Sequence, residues 1–150
     1  MSAKPIVAGG WEVPGIRKAC KFFSVLPELL PLPVQFRFEG THISPEVRAL
    51  LASNAATPTM EIPQGTIWPK SSVFHVLATE EFIRALTALA GKHAEPEICD
   101  HFHAYKDGRG LMQWYDAFDL PLLVDDSVGE TRLQDFCKTL GVHYSQRHPK

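Results

Sequence analysis

The sequence contains few cysteines. Cys20, Cys99 and Cys137 are the three present, and an odd number without metal-type spacing fits neither a disulfide framework nor a zinc motif. We therefore expect reduced, mostly buried thiols and a cytoplasmic location.

The sequence also has no large excess of charge of either sign. It carries 15 Lys and Arg residues against 17 Asp and Glu residues, which gives a formal net charge of −2. A nucleic-acid-binding protein usually has a basic surplus that neutralises phosphates. We therefore expect no nucleic-acid partner.

A long apolar run and a secretory signal pattern are both missing. The first residues lack a basic region followed by an apolar core and a small-residue cleavage site. The most apolar early stretch, 19–34, contains Lys21 and Glu28 and is interrupted by Pro27, Pro31 and Pro33. It cannot form an unbroken membrane-spanning helix. Since 45% of the residues are hydrophobic and 21% are charged, we expect a soluble globular protein with no membrane partner.

Motifs of common catalytic chemistry are absent as well. The sequence has no Gly-rich phosphate-binding loop, no nucleophile elbow and no Cys-x-x-Cys pair. Cys137 falls on the apolar stripe of a predicted helix, where nothing would lower the pKa of its thiol. We therefore expect a non-enzymatic protein without a cofactor.

The sequence does contain alternating helix and strand patterns. Apolar and polar residues alternate strictly over 34–39, which predicts a strand with one buried face. Ser44 and Thr79 are predicted helix N-caps, and Gly91 and Gly141 follow predicted helix ends. The predicted element order is α-β-α-β-α-β-β-α. It indicates a single α+β domain in which helices pack mainly on one face of a four- to five-stranded, mostly antiparallel sheet.

This domain is predicted to span residues 1–150. Residues 1–10 are expected to form an irregular N-terminal arm and residues 143–150 a frayed C-terminal tail. Residues 55–70 contain three prolines and a glycine, yet they also include Ile67 and Trp68. That mixture predicts a packed surface loop, a kind of segment that often carries function.

Asp107-Gly108-Arg109-Gly110 predicts a β-hairpin between strands at 98–106 and 111–118. Side chains alternate between the two faces of a strand. Closing the hairpin with a two- or four-residue loop pairs odd residues of the first strand with even residues of the second. One face is therefore predicted to carry His101, His103, Tyr105, Met112, Trp114 and Asp116.

This mixed polar and aromatic face favours a contact surface. Tyrosine and tryptophan are frequent anchors of binding surfaces, and Trp68 in the predicted loop could add another anchor. We expect a small regulatory or interaction protein that binds a partner protein, or forms a homodimer, through this face.

Two alternatives stay open. His101 and His103, two residues apart on a strand, can converge on zinc or another divalent transition metal, with Asp116 or His75 as the third ligand. Such a site would make the protein a metal-dependent hydrolase, although His75 lies in an apolar strand and also fits a buried histidine that binds backbone atoms. The other alternative is a small ligand bound under the 55–70 loop.

Overall fold

The computed structural model of the chain describes residues 5–147. The α-helices are α1 (Ala19–Leu29), α2 (Pro45–Ser53), α3 (Glu80–Ala90) and α4 (Glu130–Leu140). The strands are β1 (Gly10–Val13), β2 (Val34–Gly40), β3 (Ser72–Ala78), β4 (His101–Lys106), β5 (Arg109–Trp114), β6 (Leu122–Val124) and β7 (Ser145–Arg147). Short 3-10 helices span Glu95–Glu97 and Asp126–Val128.

The seven strands within residues 5–147 form one antiparallel sheet in the order β3-β2-β4-β5-β6-β1-β7. The prediction of a single α+β domain is confirmed, but four to five strands was too low a number. Two of the strands, β1 and β7, pair with each other; β7 lies in the segment predicted as a frayed tail, and β1 begins at Gly10, the last residue of the predicted arm. With three or four residues each, they are too short to show an alternation of their own. Residues 1–4 and 148–150 of those segments lie outside the described residues.

One face of the sheet packs against the helices. The Phe22 ring of α1 lies 4.9 Å from the ring of Trp114 and 5.8 Å from that of Phe102, and it also contacts Phe136 of α4. Phe82 of α3 packs against Phe36 at the other end of the same face. These pairs are T-shaped, an arrangement worth roughly 0.5–1.5 kcal/mol per pair beyond the burial of the rings. No helix among residues 5–147 has the length and apolarity needed to cross a membrane.

The β4–β5 hairpin closes with the two-residue turn Asp107-Gly108. Both residues have positive φ, 52° and 76°, as a type I′ turn requires. Tyr105 pairs with Gly110, but Ala104 pairs with Met112, so Leu111 is an extra residue on β5 and forms a β-bulge.

This bulge reverses the predicted parity of the hairpin. Phe102 lies opposite Trp114, and His103 lies opposite Gln113. The prediction that Met112 and Trp114 share a face with His103 is therefore wrong. Both are buried on the helix-covered face, because one inserted residue moves every later side chain to the other side of a strand.

Candidate functional site

The sheet face turned away from the helices carries polar side chains on three neighbouring strands. We call six of them the polar face: Arg37 and Glu39 on β2, His75 on β3, and His101, His103 and Tyr105 on β4. Five of the six have exposed fractions of 3% or less, and His75 is half-buried. A sheet face that polar is ordinarily in contact with water, so something must cover it.

The cover is the irregular segment 55–71, which we call the covering loop. The Glu39 carboxylate accepts hydrogen bonds from the backbone N–H groups of Gly65 (3.0 Å) and Thr66 (2.9 Å) and from the Ser71 hydroxyl (3.1 Å). It also forms an ion pair with Arg37, Nη1 to Oε1 at 2.9 Å. A buried carboxylate with this many donors is fully compensated and holds the loop against the sheet.

The protonation of Glu39 follows from these contacts. Burial alone would raise the pKa of its carboxyl. The hydrogen bonds from Gly65, Thr66 and Arg37 outweigh burial, and the pKa lies below its ordinary value. Glu39 is therefore ionised at neutral pH.

His101 makes two hydrogen bonds with segments on either side of it. The backbone N–H of Asp116 donates to Nδ1 at 2.9 Å, and Nε2 lies 2.7 Å from the Thr66 hydroxyl. Because Nδ1 accepts, the proton of a neutral His101 ring is on Nε2 and is donated to Thr66. The backbone of Gly65 lies so close that an added Cβ would sit 2.4 Å from the ring. Only glycine allows that approach.

The predicted metal ligands do not come together. Both ring nitrogens of His101 are engaged, and Asp116 meets it through a backbone N–H instead of its carboxylate. In the part of the chain that the structure describes, no group of three or more His, Cys, Asp or Glu side chains is placed to hold a metal ion. A zinc-type site also needs at least three converging protein ligands.

His103 lies at the centre of the polar face, fully buried. Its ring packs edge-on against Tyr115, with centroids 4.7 Å apart, and neither ring nitrogen has a hydrogen-bond partner within residues 5–147. Burial, followed by the positive charge of Arg37 and the neighbouring His101 and His75, lowers the pKa of His103 to about 3. At neutral pH the ring is uncharged, which is the form that costs least to bury.

His75 and Tyr105 form a hydrogen-bonded pair across β2. The Tyr105 hydroxyl oxygen is 2.6 Å from His75 Nδ1. Burial, assisted by the charge of Arg37, lowers the pKa of His75. Burial raises the pKa of Tyr105 and outweighs the backbone N–H of Thr59 and the Arg37 charge, which act in the opposite direction. Both side chains are therefore neutral at neutral pH.

A cleft of about 730 Å³ opens beside this pair, between the covering loop and the outer strands β2 and β3. Its walls are largely apolar, formed by Pro58, Met60, Ile62, Pro63 and Val73. Arg37 and His75 line it from the polar face, and Gln64 and the exposed Glu61 line it from the loop. An apolar cleft with a few converging polar groups is the usual form of a small-molecule site.

The structure places the residues predicted as a contact surface in three different environments. His101, His103 and Tyr105 lie under the covering loop, and Met112 and Trp114 lie in the core. Asp116 and Trp68 are exposed, Trp68 to 86%. These residues therefore do not form one continuous exposed face.

Arg37 and Glu39, the two residues that organise the site, were not predicted from the sequence as site residues. The alternation over 34–39 correctly predicted which side of the sheet these two residues lie on, but that side was expected to be exposed to water. An Arg and a Glu two residues apart on one strand face was the available signal, since such a pair can be buried if its charges compensate each other.

No protein family, curated protein or solved structure matches this chain.

Proposed function

We propose that this protein binds a small, partly apolar molecule in the cleft between the covering loop and the polar face. The observation that carries the proposal is the cleft itself, about 730 Å³ with apolar walls and with Arg37 and His75 at its inner side. Small-molecule sites typically measure about 300–1,000 Å³ and combine such walls with a few polar groups that orient the ligand.

The attachment of the covering loop supports this proposal. Glu39 binds Gly65, Thr66 and Ser71, and the Tyr115 hydroxyl donates to the Pro63 carbonyl at 2.8 Å. These bonds fix the segment that forms one wall of the cleft. A preformed site loses less conformational entropy when a ligand binds than a site that must order its loop first.

NMR titration with three probes that share a phenyl tail tests this function: phenylacetate, 2-phenylacetamide and 2-phenylethylamine. We expect at least one probe to give saturable amide shifts in residues 58–64 and 73–75. Val73→Trp fills the cleft and should remove these shifts. Leu77→Trp is the matched control, because Leu77 lies on the same strand and is exposed but does not line the cleft.

Two results would contradict the proposal. One is that no probe causes saturable shifts around the cleft at millimolar concentration. The other is that Val73→Trp and Leu77→Trp bind the probes equally well while both remain folded.

A second candidate function is self-association through the tip of the covering loop. The observation that favours it is the exposure of Ile67 and Trp68, 85% and 86%, on a loop whose base is held by Glu39. A fixed, exposed tryptophan is a common anchor of protein interfaces. It is also the large aromatic residue of the predicted contact surface that stays accessible.

Sedimentation velocity over a range of concentrations tests this candidate. We expect the wild-type chain to form a dimer, and Trp68→Ser to raise the dimer dissociation constant about tenfold or more, the effect of losing an interface anchor. Leu120→Ser, which changes another exposed apolar residue outside the loop, should leave the dimer unchanged. A wild-type chain that stays monomeric at high concentration rules the candidate out.

A further inference from the structure

The guanidinium of Arg37 has hydrogen-bonding capacity left beside the cleft. Its hydrogen bond within the described residues is the one from Nη1 to Glu39, and the side chain is 2% exposed while lining the cleft. A guanidinium has several further N–H donors in a planar array that matches a carboxylate.

The charge of Glu39 is shared between Arg37 and the covering loop. Gly65, Thr66 and Ser71 donate three of the hydrogen bonds that the Glu39 carboxylate accepts. The positive charge of Arg37 is still felt by its neighbours, because it contributes to the lowered pKa values of His75 and His103. The inner end of the cleft is therefore unfavourable for a cation.

His75 adds a directed donor at the same place. A tyrosine hydroxyl has one proton to donate, and the acceptor it meets among the described residues is His75 Nδ1, 2.6 Å away. A neutral histidine whose Nδ1 accepts carries its proton on Nε2. Tyr105 thus sets the tautomer in which His75 offers an N–H from Nε2.

The rest of the lining favours an uncharged tail. Pro58, Met60, Ile62 and Val73 supply apolar surface. The other ionisable group in the lining, Glu61, is exposed, where water and salt screen its charge.

We infer that the ligand of the cleft is a small carboxylic acid, bound as its carboxylate by Arg37 and His75 with its apolar tail against the covering loop. This inference rests on the proposed function, since it assigns the chemical class of the same ligand. Arg37 supplies the charge and His75 the second hydrogen bond, while Tyr105 positions His75 without touching the ligand.

Isothermal titration calorimetry tests the inference by comparing the dissociation constants of phenylacetate, its neutral isostere 2-phenylacetamide and the cation 2-phenylethylamine. We expect phenylacetate to bind about tenfold or more tightly than the amide, as hydrogen bonds to a charged acceptor are stronger, and the amine to bind weakest. His75→Phe should weaken phenylacetate binding about tenfold and amide binding less. Tyr105→Phe should weaken phenylacetate binding by a smaller factor, because it frees the tautomer of His75 without removing the ring.

The outcomes distinguish a failure of the carboxylate assignment from a failure of the proposed ligand binding in the cleft. If the amide or the amine binds as tightly as phenylacetate, and Val73→Trp abolishes that binding, the carboxylate assignment is wrong while the cleft remains a ligand site. If no probe binds, both fail. His75→Phe that stays folded by circular dichroism yet binds phenylacetate with unchanged affinity also overturns the role of His75.

Discussion

Glu39 and Glu61 are both glutamates near the cleft, but the surroundings of their carboxylates differ. The Glu39 side chain is fully buried and accepts bonds from the covering loop and from Arg37. Glu61 is exposed on the rim. The same substitution at these two positions therefore measures how much the buried network contributes to stability.

We expect Glu39→Gln to lower the free energy of unfolding by about 3 kcal/mol, because it leaves the charge of Arg37 buried without its partner. The new amide group would also face the N–H donors of Gly65 and Thr66. Glu61→Gln should change stability by less than about 0.5 kcal/mol. Urea unfolding of both variants at neutral pH measures the two values.

The loss caused by Glu39→Gln should depend on pH. The folded pKa of Glu39 lies below its ordinary value of 4.5, so as the pH falls the unfolded chain takes up the proton first. The stabilisation from the ionised carboxylate is complete above pH 4.5 and is lost as the pH drops through the folded pKa. The gap between wild type and Glu39→Gln should therefore narrow in acid, and a gap that is constant from pH 7 to pH 3 contradicts this role of Glu39.

The sequence could place Glu39 on a face but could not say that the face is covered. Period-two alternation depends on neighbouring residues alone, and it gave the correct side for Glu39 and for Arg37. The donors that make burial tolerable come from Gly65, Thr66 and Ser71, about thirty residues further along the chain. Contacts between such distant segments leave no local periodic pattern.

At the scale of a secondary-structure element, the C-terminal ends of α3 and α4 show what a local sequence signal determines and what it leaves open. Gly91 and Gly141 were both predicted to follow helix ends, and they are the C-caps of α3 and α4. Their backbones differ, however. Gly91 has φ −71°, in the right-handed region, whereas Gly141 has φ 71°, in the left-handed region that favours glycine.

We expect Gly141→Ala to lower the free energy of unfolding by about 1 kcal/mol, because an L-residue is strained at that φ. Gly91→Ala should be neutral or stabilising by up to about 1 kcal/mol, since alanine fits its φ and restricts the unfolded chain. An added Cβ at Gly91 meets nothing closer than 3.6 Å, and one at Gly141 meets nothing within 4 Å. Crowding therefore cannot account for the difference.

Thermal unfolding of the two alanine variants, followed by circular dichroism, checks this pair. Equal effects of Gly91→Ala and Gly141→Ala would mean that the two caps do not differ in backbone strain. Glycine alone could not distinguish them in the sequence, because it is compatible with either backbone region.

The hairpin shows the limit of prediction for a pair of strands. The Asp107-Gly108 turn was visible in the sequence, because a type I′ turn needs residues that accept positive φ. The bulge at Leu111 was not visible, since nothing in the residue type marks an inserted position. That one residue exchanged the faces expected for Trp114 and Gln113 and removed Trp114 from the predicted contact surface.

For the whole molecule, the sheet presents two very different faces. The helix-covered face is closed by aromatic side chains such as Phe22 and Phe102. The polar face is closed by the covering loop through Glu39, and His103 is buried there without a hydrogen-bond partner in the described residues. The cleft lies where the covering loop leaves a space against β2 and β3, and Arg37 and His75 line that space from the sheet.

The sequence by itself determined the α+β class, the main helices and strands, the β4–β5 turn and the faces of β2, because these depend on periodicity and turn chemistry within short segments. Only the tertiary structure decided the number of strands, the register after Leu111, the cover over the polar face and the cleft beside it. Each of these arises from contacts between segments far apart in the chain. Their energies depend on contacts between partners such as Glu39 and Thr66, and no local sequence pattern indicates such a contact.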